Sequence, residues 1–127
     1  MARILIVDDD AHIVRVMSIW LTRHGHETLC AGNGADALAI VERESVDLII
    51  SDMNMPILDG QDLAVALRER GRSDIPMMFL TARCDQEKLA GRLRGFNAQI
   101  LPKPFVPSRL VTQIEALLRP QASGLEG

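Results

Sequence analysis

The sequence predicts an α/β domain in which five βα units fold into one doubly wound parallel sheet with helices on both faces. Three observations predict it. Short apolar runs alternate with longer amphipathic stretches along the chain. Three of the runs, residues 4–7, 48–51 and 77–80, are apolar almost throughout, as strands buried on both faces require. Glycines and prolines mark the boundaries, from Gly25, Gly32 and Gly34 through Pro56, Gly60, Gly71, Pro76 and Gly95 to the series Pro102, Pro104 and Pro107. An alternating βαβα order implies right-handed crossovers, hence parallel strands covered on both sides.

The first strand, residues 4–7, runs straight into Asp8-Asp9-Asp10. Any one of these acids suits a helix N-cap. The helix expected over 12–24 carries Ile13, Val14, Val16, Met17, Ile19, Trp20 and Leu21, more apolar surface than one stripe buries. Val14 and Ile19 are the two expected to be exposed, as a partner-binding patch. His24 and His26 flank Gly25, so surface or helix-end roles are expected for them, and neither they nor His12 reads as a metal ligand. The second strand covers 27–30 and the second helix 35–44. The third strand, 48–51, ends in Asp52 and leads to a helix over 61–70. The fourth, 77–80, ends in Thr81-Ala82, before a helical segment over 85–94. The fifth, 99–101, ends in Pro102-Lys103-Pro104. The last helix, 108–119, sets Leu110, Val111, Ile114, Leu117 and Leu118 on one stripe.

With 127 residues, 47% of them hydrophobic, the chain has the size of one domain, expected over 1–119, with 120–127 as a flexible tail or the start of a linker. A formal net charge of −3 argues against a nucleic-acid-binding domain. The charge is unevenly placed: residues 1–70 hold 12 acidic and 6 basic groups, the remainder 5 and 8. No apolar run approaches the ~18 residues of a membrane span. Cys30 and Cys84 lack CxxC spacing and make no disulfide framework, so a reduced, cytoplasmic setting is expected.

In sheets of this kind the ligand site lies beyond the carboxyl ends of the strands. That rule gathers Asp8, Asp9, Asp10, Asp52, Thr81 and Lys103 at one end of the sheet. Crowded carboxylates resist joint ionisation unless a cation neutralises them. Oxygen-only ligands favour a hard ion, Mg²⁺ or Mn²⁺. With such an ion, the Thr81 hydroxyl and the Lys103 ammonium suit a tetrahedral oxyanion such as a phosphoryl group. A carboxylate can then act as nucleophile by forming an acyl phosphate.

Five stretches in this order resemble the response-regulator receiver domain of two-component systems, of the chemotaxis-regulator kind, over roughly residues 2–119. They are Ile4-Leu5-Ile6-Val7-Asp8-Asp9-Asp10, Asp47-Leu48-Ile49-Ile50-Ser51-Asp52-Met53-Asn54-Met55-Pro56, Leu58-Asp59-Gly60, Phe79-Leu80-Thr81-Ala82 and Lys103-Pro104-Phe105. The resemblance implies a flavodoxin-like (βα)5 fold with strand order 2-1-3-4-5. It implies that Asp52 is the phosphoacceptor, taking its phosphoryl group from the phosphohistidine of a sensor histidine kinase or phosphotransfer protein. Mg²⁺, with Mn²⁺ as a substitute, would be held by Asp9 and Asp52 directly, by Asp8 through water and by the backbone carbonyl of Asn54. Lys103 would bridge the phosphoryl group and Asp52; Thr81 and the Ala82 N–H would bond phosphoryl oxygens. The Lys103–Pro104 bond would be cis, which proline makes affordable. A downstream protein would be met by the face made of the fourth helical segment, the fifth strand and the fifth helical segment. No external substrate, nucleic acid or membrane is expected for the domain.

Two features depart from the family pattern: the missing aromatic switch residue, and the stretch 95–103, which is one residue longer than the common spacing. Where an aromatic switch residue usually stands, three before Lys103, this chain has Ile100, with Gln99 as the other candidate by spacing. Arg83, two residues past Thr81, is expected at the pocket rim opposite Asn54, where a long cation shields the acyl phosphate. Two other readings compete: a phosphatase of the haloacid dehalogenase type using Asp8, and a pseudo-receiver that binds partners without phosphorylation. Position 12 is His12, where the phosphatase motif needs Thr or Val, and no cap domain fits in the chain.

Overall fold

The computed structural model describes residues 2–52, 60–72, 74–82, 98–103 and 106–118. Five strands, β1 (Arg3–Val7), β2 (Glu27–Ala31), β3 (Leu48–Asp52), β4 (Met77–Ala82) and β5 (Ala98–Lys103), form one sheet in the order β2-β1-β3-β4-β5. Every pairing is parallel. Among the described residues four helices accompany it: α1 (Ala11–Arg23), α2 (Gly34–Arg43), α3 (Gly60–Glu69) and α4 (Pro107–Leu118). The helical segment expected over 85–94, the tail 120–127, Asn54, Arg83 and the Lys103–Pro104 bond lie outside the described residues.

Alternation along the strands splits the core in two. Leu5, Val7, Ile49, Met77 and Phe79 face one side, where Ala37 and Val41 of α2 and Leu63, Ala64 and Leu67 of α3 close over them. Ile4, Ile6, Leu48, Ile50, Met78 and Leu80 face the other, under Met17 and Leu21 of α1 and Leu110, Val111 and Ile114 of α4. The apolar residues of β1 from Ile4 on, and all those of β3, are fully buried, which is why those runs carry no polar alternation. Each such Leu or Ile contributes roughly 1.5–3 kcal/mol by leaving water.

The edges behave differently. β2 is only partly covered, with Cys30 exposed. β4 and β5 run further than the apolar runs suggest. Register continues through Thr81↔Pro102 and Ala82↔Lys103, so Thr81 lies inside a strand. A proline is tolerated in β5 because that strand is at the edge, where one missing donor can face outward.

Helix ends follow local chemistry. Asp10 caps α1, its carboxylate accepting from the N–H groups of His12 (3.0 Å) and Ile13 (3.4 Å). Asn33 caps α2 by accepting the Asp36 N–H at 2.8 Å. α1 ends with Gly25 at φ 86°, the Gly25 N–H bonding Thr22 and the His26 N–H bonding Leu21. The same pair of bonds follows α3, with Gly71 at φ 74°.

Two expectations are corrected here. His26 is not a surface residue: its side chain is 9% exposed, its Nδ1 accepts the Ala2 N–H at 3.3 Å, and its Nε2 lies 3.3 Å from Glu115 of α4. A ring that accepts at Nδ1 carries its proton on Nε2, which donates to Glu115. Val14 is half-buried against the α1–α4 side of the core, whereas Ile19 is 43% exposed as expected. His24 does sit at the helix end, its Nδ1 2.9 Å from the Trp20 carbonyl and its ring stacked on Trp20.

Candidate metal and phosphoryl site

Asp8 leaves β1 at the end of the sheet, where its N–H bonds the Ala31 carbonyl of β2 at 3.1 Å. Its Oδ1 turns back to accept the Asp10 N–H at 2.8 Å. The three consecutive acids therefore divide their work: Asp10 caps α1, Asp9 stays exposed, and Asp8 is 3% exposed at the base of the site. Asp52, the last residue of β3, is 7% exposed. One carboxylate oxygen from each of Asp8, Asp9 and Asp52 lies within 4.8 Å of the other two.

Unit charges ~4 Å apart repel by about 1 kcal/mol in bulk water and about 4 kcal/mol at the effective permittivity near a protein surface. A cation among these oxygens removes that cost. All three protein donors are carboxylate oxygens, a set that fits a hard divalent ion and offers nothing to a soft one.

Across the sheet, Thr81 is 1% exposed, and among the described residues its Oγ1 has no hydrogen-bond partner. A buried hydroxyl in that position is ready for a ligand oxygen that arrives later. The Ala82↔Lys103 register sets the backbone of Lys103 beside that of Ala82 at the same end of the sheet. Of the expected site residues, the structure therefore brings Asp8, Asp9 and Asp52 together and puts Thr81, Ala82 and Lys103 on the two following strand ends.

Ile100 pairs in register with Phe79 and is half-buried against the core under α2 and α3, while Gln99 is exposed. Of the two spacing candidates for the switch position, Ile100 is thus the one that packs inward on the face Thr81 shares. Beside the acids, an open groove of about 470 Å³ runs between α1 and β2, touching Asp8, Asp9, Val14, Ile19 and Cys30. Cys30 is exposed as a residue, but partial covering of its thiol pushes its pKa above the ordinary value.

One residue was missed by the sequence reading. Ser51, fully buried, donates its hydroxyl to the carbonyl of Asp52 at 2.9 Å. Its signal was available: a single hydroxyl closing an otherwise apolar strand, directly before the candidate nucleophile.

Comparison with known proteins bears on the same residues. A family model described as the response regulator receiver domain matches residues 4–115. The transcriptional regulatory protein PrrA of Mycobacterium tuberculosis is 36% identical over 121 residues, covering 95% of this chain and 52% of its own. The probable transcriptional regulator ycf27 of Porphyra purpurea is 38% identical over 120 residues, 92% of this chain and 47% of its own. The chain thus spans about half the length of the curated relatives it matches. Among solved structures, the Francisella response regulator 1452 receiver domain superposes with a TM-score of 0.85 at 28% identity, over 93% of this chain and 97% of that one. The Vibrio cholerae chemotaxis protein CheY4 does so with a TM-score of 0.82 at 33% identity, over 93% and 99%.

Proposed function

The chain belongs to the response-regulator receiver domain family of two-component systems, and on that premise we propose that Asp52 is its phosphoacceptor. The observation that carries the reading is the meeting of Asp8, Asp9 and Asp52 oxygens within 4.8 Å at the ends of β1 and β3. An Asp52 oxygen attacks the phosphorus of a phosphohistidine on a histidine kinase or phosphotransfer protein. The P–N bond breaks, its electron pair stays on the imidazole nitrogen, and Asp52 becomes an aspartyl phosphate.

Asp8, Asp9, Asp52 and the Asn54 carbonyl would hold Mg²⁺, or Mn²⁺ in its place. That ion supplies positive charge against the carboxylates and the phosphoryl oxygens. Lys103 then pairs with the phosphoryl group, and Thr81 and the Ala82 N–H donate to its oxygens. Arg83, two residues past Thr81 in sequence, would supply a long cation that lengthens the life of the acyl phosphate. The Ile19 side of α1 and the groove beside it receive the phosphodonor. The domain promotes its own phosphorylation and dephosphorylation, and the phosphorylated form binds a downstream protein differently.

Ile100 is smaller than an aromatic residue and stiff at its first torsion, so it cannot swing into space that Thr81 vacates. The readout would therefore run through the backbone of residues 82–91, or through the 99–101 stretch of β5. Hydrogen exchange with and without beryllofluoride tests this: slowed exchange over 82–91 is expected, and change confined to another face would exclude it.

The central experiment is labelling by acetyl phosphate with Mg²⁺. Asp52→Asn should abolish it; full labelling of that variant would remove Asp52 from its role.

A further inference from the structure

We infer that Ser51 is a positioning residue for the Asp52 carboxylate, a role that rests on the reading of Asp52 as nucleophile. β3 is otherwise Leu48, Ile49 and Ile50, all fully buried, and Ser51 is fully buried with them. Its register partners are Val7 on β1 and Phe79 on β4, whose side chains offer no hydrogen bond. A hydroxyl in such surroundings costs free energy unless it finds an acceptor. It finds the Asp52 carbonyl, at 2.9 Å.

The location of that bond gives it a use. The β1–β3 pairing stops at Val7↔Ser51, and the β3–β4 pairing continues one step to Asp52↔Leu80. Asp52 is thus the last residue of β3, at the point where the ladder ends. The Ser51 hydroxyl bonds the carbonyl of that last residue and so fixes the peptide that leaves Asp52. That peptide sets the backbone torsion on which the side-chain rotamers of Asp52 depend. It also sets the direction in which the chain departs toward Asn54. A misplacement of the nucleophile by a fraction of an ångström lowers the rate of attack without unfolding anything.

The test compares Ser51→Ala, Ser51→Cys and Ser51→Thr with the wild type and with Asp52→Asn, using acetyl phosphate and Mg²⁺. Ser51→Cys keeps the volume but donates weakly; Ser51→Thr keeps the hydroxyl in a residue suited to strands. The maximal labelling rate should fall about tenfold in Ser51→Ala and Ser51→Cys, with the half-saturating acetyl phosphate concentration unchanged. Ser51→Thr should restore it to within about threefold of the wild type. A residue that only filled space would show Ser51→Cys at the wild-type rate. That result, with Asp52→Asn silent, overturns the positioning role and leaves Asp52 in place. Labelling of Asp52→Asn at the wild-type rate overturns both.

Discussion

Thr81 keeps a buried hydroxyl that finds no partner among the described residues, and such a group costs stability as long as it waits. Thr81→Val keeps the shape and removes the cost. It should raise the unfolding free energy by about 1 kcal/mol in urea titrations, while the phosphorylated form loses its altered binding of the downstream partner. A variant that is both less stable and fully responsive would contradict the assignment. The Cys30 thiol, pushed up by burial, stays protonated at neutral pH, so in a Cys84→Ser background it should alkylate more slowly than a free thiol at pH 7.5 and catch up as the pH rises. At this scale the sequence was legible where position along a strand decides the role. Asp8, Asp9 and Asp52 had to meet, because strand ends in a parallel sheet share one side. His26 was illegible for the opposite reason. Its contacts lie 24 and 89 residues away, and nothing local distinguishes an imidazole beside a turn from one inside the fold.

Among the elements, α1 depends on a cap whose two neighbours have other duties. Asp10→Ala should cost about 1 kcal/mol in denaturant unfolding and leave acetyl phosphate labelling intact, because the proposed site draws on Asp8 and Asp9 and not on the cap. An equal loss of labelling would show that the three acids are not separable. Gly25 closes the same helix in a left-handed conformation, with nothing within 4 Å of where a Cβ would stand. Gly25→Ala should therefore cost about 1 kcal/mol through backbone conformation alone. Purely apolar runs made β1, β3 and β4 readable. β2 and β5 were readable only as runs, with uncertain ends, because an edge strand is half-covered and its limits are set by the partner's register. β5 reaches Lys103 because β4 continues beside it to Ala82, which no property of the sequence Pro102-Lys103 announces. Ile19 and Val14 show the same limit on a helix. Both lie in the excess apolar surface of α1, but only packing against the core separates the half-buried one from the exposed one.

For the molecule as a whole, the proposed cation site at Asp8, Asp9 and Asp52 would couple folding to cations. Mg²⁺ at ten times its dissociation constant should stabilise the fold by about 1.4 kcal/mol through mass action. For a domain of this size that corresponds to a melting temperature higher by about 5 °C. Asp9→Asn should melt higher than the wild type without Mg²⁺ and lose the Mg²⁺ response, since one change removes both the repulsion and a ligand. An unaltered Mg²⁺ response in that variant would place the ion elsewhere. The strand order has a consequence for synthesis. β2, β1 and β3 are neighbours in space and all lie before residue 53, so a chain emerging from the ribosome completes this half of the sheet first. β4 and β5 are then added one after the other on a single growing edge. All three carboxylates of the proposed cation site belong to the early half; the hydroxyl and the ammonium that would read a phosphoryl group arrive with the late one. On the proposed assignment, a nascent chain would therefore be equipped to bind a cation before it is equipped to sense a signal. Pulsed exchange on arrested chains should find the amides of β1 and β3 protected before those of β4.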